Sequence, residues 1–146
     1  MEFKKITLGD IPALAKVYAD SFNSEPWNER WTEKSAAARL RKIAADWDFI
    51  GLYAVENGEI CGMILGASMP FYTGKPFEVK EFCVNNSMRG CGIGGKLYRK
   101  FEEMLKSSGV TNIFLFTIAG DLTERFYNKM GFSTDDFAVL MRKVLE

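Results

Sequence analysis

The chain contains no histidine. That absence excludes Ser-His-Asp and Cys-His nucleophile systems in their usual form. It also excludes H-E-x-x-H metalloproteases and the histidine-containing zinc deaminases. Any acid or base work falls to Glu, Asp, Tyr, Lys, Cys or a bound water. Cysteine is scarce, with only Cys61, Cys83 and Cys91. Their spacing offers no C-x-x-C pair, which points away from a metal site, zinc above all. An odd count with no secretion signal in the short, mixed-charge start from Met1 to Thr7 is expected of reduced thiols in the cytoplasm. No apolar run approaches the ~20 residues that span a bilayer, so no membrane partner is expected. Net charge is also lacking: 19 basic and 19 acidic residues cancel. Overall charge therefore gives no reason to expect a nucleic-acid partner.

What remains is an ordinary globular composition, 47% hydrophobic and 26% charged. At 146 residues the chain is expected to be one domain, 1–146, with a full core. Glu2 to Thr7 reads as a strand. Asp10 reads as the cap of a helix with Ile11, Leu14, Ala15, Tyr18 and Phe22 on one face, and Pro12 fits its first turn. Residues 23–31 hold turn formers and aromatics. Thr32 reads as the cap of a second helix with Ala36, Leu40, Ile43 and Trp47 as its apolar stripe.

Residues 49–56 and 59–68 read as strands joined by Asn57-Gly58, a strong hairpin signal. A loop with Pro70, Gly74 and Pro76 follows, then a strand over 77–84. A helix is expected from about Gly94 to Ser108, with Leu97, Phe101, Met104 and Leu105 buried and Gly109 ending it. A strand at 112–117, a helix at 122–130 and a final strand at 136–144 complete the order β-α-α-β-β-β-α-β-α-β. The fold class is α/β, a mixed sheet flanked by helices, with a parallel crossover between 77 and 117. No repeat or linker divides the chain.

The densest signal is Arg89-Gly90-Cys91-Gly92-Ile93-Gly94-Gly95-Lys96, between a strand and a helix. Glycines there allow close ligand approach and positive φ. The helix's first amides are unpaired and its dipole is positive, so the turn suits a phosphate. Arg89 and Lys96 add charge. Gly90 to Lys96 also fits the start of a P-loop, but Leu97 stands where Ser or Thr should hold magnesium. A dinucleotide fingerprint needs G-x-G-x-x-G early in the chain, and this segment reads G-x-G-x-G late in it. A purely structural glycine turn is the remaining alternative.

Arg89-Gly90-Cys91-Gly92-Ile93-Gly94 resembles R-x-x-G-x-G, the acetyl-coenzyme A signature of the GNAT N-acetyltransferase superfamily. Glu81-Phe82-Cys83-Val84 looks like that family's fourth strand. Phe126-Tyr127-Asn128-Lys129-Met130-Gly131-Phe132 is similar to its F-Y-x-x-x-G-F element. The resemblance spans essentially the whole chain and implies a mostly antiparallel GNAT-like sheet (α+β in some schemes). It implies acetyl-CoA as co-substrate and direct attack of an amine on the thioester. Backbone amides of 89–95 would bind the pyrophosphate. Phe82, Cys83 and Val84 would pair with the pantetheine arm where the strands at 77–84 and 112–117 splay. Where many members carry an asparagine before the tyrosine, this chain has Gly120 and then Asp121.

Two catalytic candidates follow. Glu81 is a carboxylate inside an otherwise apolar strand and a candidate general base; a glutamate facing solvent, or salt-bridged to Lys80 or Lys75, is the alternative. Tyr127 is the candidate acid for the coenzyme A thiolate, or else a packing aromatic. Cys83 and Cys91 are not expected to be nucleophiles. Trp27, Glu29 and Trp31 would offer an aromatic, acidic wall to the acceptor, with Tyr72 opposite, unless the tryptophans only anchor their loop. The expected partner is a small-molecule amine. A protein lysine or N-terminus, a non-catalytic acyl-CoA-binding role, and a homodimer stay open.

Overall fold

Why the sheet delivers one particular carboxylate to one particular face is the central point of the fold. The computed structural model describes all residues, Met1–Glu146. The elements are β1 (Glu2–Lys5), α1 (Ile11–Phe22), α2 (Glu33–Ala44), β2 (Phe49–Glu56), β3 (Glu59–Ser68), β4 (Pro76–Val84), α3 (Ile93–Ser107), β5 (Asn112–Leu115) and α4 (Asp121–Lys129). The sheet runs β1-β2-β3-β4-β5. Neighbours are antiparallel except β4 and β5, which are parallel.

Local chemistry sets the boundaries. The Asp10 carboxylate accepts the Thr7 N–H at 2.7 Å and the Thr7 hydroxyl at 2.8 Å, closing the turn that leads into α1. Thr32 Oγ1 accepts the Ser35 N–H at 3.0 Å and starts α2. Asn57 and Gly58 both have positive φ, 51° and 79°, as the tight hairpin between β2 and β3 requires. Gly92, at φ 75°, is the N-cap of α3.

Two apolar layers cover the sheet. On one face Met63, Leu65 and Cys83 pack with Leu14, Tyr18, Phe22 and Leu40 of α1 and α2. On the other, Phe77 meets Phe101 of α3 edge-on, ring centroids 5.5 Å apart. The β3–β4 register explains how one strand serves both. Gly66 pairs with Val79, but the next β3 residue, Leu65, pairs with Glu81. Lys80 is the extra residue of a β-bulge. Adjacent strand residues point to opposite faces, and cross-strand partners share one. Val79 and Phe77 therefore lie on the α3 face, whereas Glu81 and Cys83 lie on the α1–α2 face. Gly66 makes the bulge possible, because a Cβ there would overlap the Glu78 carbonyl.

Two expectations fail. Trp47 is not on the stripe of α2: the helix ends at Ala44, a turn closes through Asp46 N–H to Ile43 O at 3.2 Å, and Trp47 is 98% exposed at its tip. The final strand at 136–144 is absent. A strand exists through its ladder, and the apolar run Phe137 to Leu145 forms none. The chain divides into two compact units, Met1–Phe116 and Thr117–Glu146. No helix is long and apolar enough to cross a membrane.

Candidate active site

The bulge buries Glu81 to 6% exposure beneath α1 and α2. Burial raises its carboxyl pKa above the ordinary carboxylate range, and the hydrogen bond and charge of Arg39 oppose that shift. Arg39 Nε donates to Glu81 Oε1. The buried hydroxyl of Tyr18 interacts with both groups. Neither lysine weighed as a partner reaches Glu81: Lys80 pairs with Glu78 at 2.9 Å and Lys75 with Asp48 at 3.7 Å. Arg39 also lies over Trp31, 5.8 Å from the ring centroid. Trp31 is fixed in turn. Its N–H donates to Asn23 Oδ1 at 2.6 Å, its indole N–H donates to Glu29 Oε1 at 3.0 Å, and its ring meets Tyr18 edge-on at 5.2 Å. Glu81, Trp31 and Glu29 thus meet in one cluster. Arg39 and Tyr18 complete it, and sequence reasoning had not assigned either to the site.

The bulge has a second consequence. The β4–β5 ladder covers Pro76 to Val79 only, ending at Val79↔Leu115. β4 runs on through Glu81, Phe82, Cys83 and Val84 past that end, consistent with a bulged strand bending away from its neighbour. Cys83 is 4% exposed, and burial pushes its thiol up to about 12, so it is a core residue and no nucleophile at neutral pH.

After β4 comes the glycine turn. Gly90 and Gly92 have φ 80° and 75°, and a Cβ at either would meet nothing within 4 Å. Backbone conformation, not crowding, demands glycine there. No side chain caps α3, which leaves the amides of Ile93, Gly94 and Gly95 at an open helix N-terminus. Cys91 and Lys96 are exposed beside it. These features fit a pyrophosphate. The Arg89 side chain, however, is committed elsewhere. Its Nη1 donates to Glu25 O at 3.0 Å, and its Nη2 to Ser21 O at 3.2 Å and Ser24 Oγ at 3.3 Å. Its guanidinium lies 5.5 Å from the Trp27 ring centroid. Asn86 Nδ2 adds a bond to Asp20 O at 2.8 Å, and Ser21 Oγ donates to Val84 O at 3.2 Å. The segment after β4 is therefore stapled to the loop carrying Trp27, which itself packs on Phe22 at 5.0 Å.

Tyr72 lies apart from this cluster, 91% exposed, its ring against Phe71. Tyr127 belongs to the second unit. It sits on α4 between Phe126 and Phe132, with centroid distances of 5.2 and 5.6 Å. Its carbonyl accepts the Phe132 N–H at 3.0 Å, so the F-Y-x-x-x-G-F element folds back on itself, with Gly131 at φ 98°.

Residues 12–132 match the acetyltransferase (GNAT) family. The chain belongs to this family. GNAT proteins are acyltransferases, and so is this chain. A curated relative, an uncharacterized N-acetyltransferase of Chlorobaculum tepidum, is 28% identical over 116 residues, covering 72% of each chain. Among solved structures, a probable acetyltransferase superposes with a TM-score of 0.83 at 14% identity, covering 100% of this chain and 99% of that one. An aminoglycoside acetyltransferase from an uncultured soil metagenomic sample, in complex with sisomicin, gives 0.74 at 14% identity, covering 99% and 96%. At those identities the structures speak for the GNAT fold alone.

Proposed function

We propose that the chain transfers an acetyl group from acetyl-CoA to the primary amine of a small molecule, residues 1–146 acting as one catalytic domain. The observation that carries this reading is the bulge at Lys80, which places the buried Glu81 carboxylate beside the end of the β4–β5 ladder. Residues 82–84 would run alongside the pantetheine arm there. The amides from Gly90 to Gly95 would hold the pyrophosphate at the N-terminus of α3. Arg89 would contribute through its backbone, since its side chain holds the acceptor loop.

An acceptor amine arrives protonated. Glu81, directly or through a water, takes the first proton and releases it to solvent. The free amine attacks the thioester carbonyl carbon, so a C–N bond forms and the C–S bond breaks. Tyr127 gives its phenolic proton to the departing thiolate and regains one from the nitrogen through solvent. The products are the amide, coenzyme A thiol and one proton. Raising the Glu81 pKa by burial suits a base that must work nearer neutrality.

The test is release of coenzyme A thiol from acetyl-CoA with a panel of amines, including polyamines, aminoglycosides and amino acids. Amine-dependent release with an acetylated product of matching mass is expected. Acetyl-CoA binding without turnover on any amine would refute the proposal.

A further inference from the structure

The charges around Glu81 constrain the acceptor. Arg39 donates to Glu81 through Nε, and the guanidinium carries more N–H donors than Glu81 and Tyr18 can take up. Its side chain is 47% exposed although its partner is buried. One edge is therefore held against the base and another faces outward. The guanidinium also lies over the Trp31 ring, and Trp31 is itself locked through Asn23 and Glu29. A planar cation held this way has its remaining donors pre-aimed, the arrangement that recognises a carboxylate in bidentate fashion.

An ammonium delivering its proton to Glu81 must come close to this guanidinium. A bare cation would be repelled, and a polycation more so. The repulsion is offset if the acceptor brings its own anion. Glu29, held on the Trp31 indole N–H, is close enough to act on Glu81 electrostatically and adds a second carboxylate near the base. The fixed charges thus offer carboxylates to an amine and a guanidinium to an acid.

We infer that the acceptor is a zwitterion, an amino acid or close analogue, whose carboxylate is bound by Arg39 while its amine meets Glu81. This rests on the reading of Glu81 as the base. It makes Arg39 a specificity-determining residue for the reaction.

The experiment compares each common L-amino acid with its primary amide as acceptor, using the 146-residue chain and saturating acetyl-CoA. The amide has the more readily deprotonated amine, so intrinsic reactivity favours it. The inference predicts the reverse: for the accepted side chain, kcat/KM for the acid exceeds that for the amide by about tenfold or more. In Arg39→Gln the ratio falls to within about threefold of unity, and Arg39→Lys keeps an intermediate ratio. The ratio is insensitive to a general loss of activity, and the wild-type comparison needs no variant to fold. Amides or simple amines that turn over as fast as every acid would overturn the inference and leave the acetyltransferase reading standing. A melting-temperature increase of the coenzyme A complex by an acid and not by its amide, without turnover, would support the acid site and refute Glu81-driven transfer. Equal response to acid and amide in that assay would overturn the inference as well.

Discussion

Replacing Glu81 by glutamine tests catalysis and stability separately. Glutamine keeps the size of the side chain and one acceptor oxygen for Arg39 Nε, but loses the charge and the basicity. On catalysis, removal of a general base costs about 10²–10⁴ in rate, or roughly 3–5 kcal/mol of transition-state stabilisation. On stability, two terms oppose each other. A hydrogen bond to a charged group contributes about 1.5–3 kcal/mol, and Arg39 is half-exposed, so the lower end applies. Against it, a carboxylate that is 6% exposed no longer has to be held out of water. The net change should stay within about 1 kcal/mol, a shift of ~2–4 °C in Tm for a chain of this length. The assay is kcat/KM from about pH 5 to pH 9, alongside thermal melts. In the wild type the rate should rise with pH as Glu81 loses its proton, and burial places that rise above the ordinary carboxylate range. In Glu81→Gln that limb should vanish and the rate fall at every pH. A kcat within about threefold of wild type, in a correctly folded variant, would refute the assignment of the base.

Tyr127→Phe should lower kcat by about tenfold or more, with a smaller change in acetyl-CoA affinity, checked by steady-state kinetics limited by chemistry. Arg89→Gln removes the bonds to Ser21, Ser24 and Glu25; acceptor KM should rise about fivefold and acetyl-CoA KM rise less, and the opposite order would show that the side chain serves the phosphate. Cys83, with its folded pKa raised to about 12, is protonated in the fold, and the unfolded chain releases that proton first. Stability should therefore be intact below about pH 9 and fall above it by up to about 1.4 kcal/mol per pH unit. Urea midpoints at pH 9 and pH 10 measure the slope, and Cys83→Ala should reduce it, leaving the smaller part due to the raised Cys61 thiol and buried tyrosines.

Features that depend on a few neighbouring residues were legible. Asn57-Gly58 specified its hairpin, Thr32 its helix cap, and the glycine segment at 90–95 the junction into α3, because turn and cap geometry is decided within three or four residues. Glu81 stood out as a carboxylate in an apolar strand, but the reason it is buried lies in pairing. The extra residue at Lys80 turns it to the α1–α2 face, and the bulge depends on Gly66 in a different strand. Arg39, 42 positions away in sequence, becomes its partner only once α2 packs on the sheet. The Arg89 motif pointed to a phosphate, and local sequence did not show that carbonyls of the 21–25 segment would claim its side chain. The expected strand at 136–144 had apolar residues enough but no ladder. Trp47 matched the helical period and missed the core because the helix stopped first.

We propose that the turn at 89–95 binds acetyl-CoA as an anion site built from backbone. Calorimetric titration of acetyl-CoA into the wild type and Gly92→Val tests it most directly. A valine at φ 75° forces the turn out of its conformation without touching the core. Stoichiometric binding by the wild type, and none by a variant with an unchanged circular dichroism spectrum, is the predicted result. Equal affinity in both proteins would contradict the account.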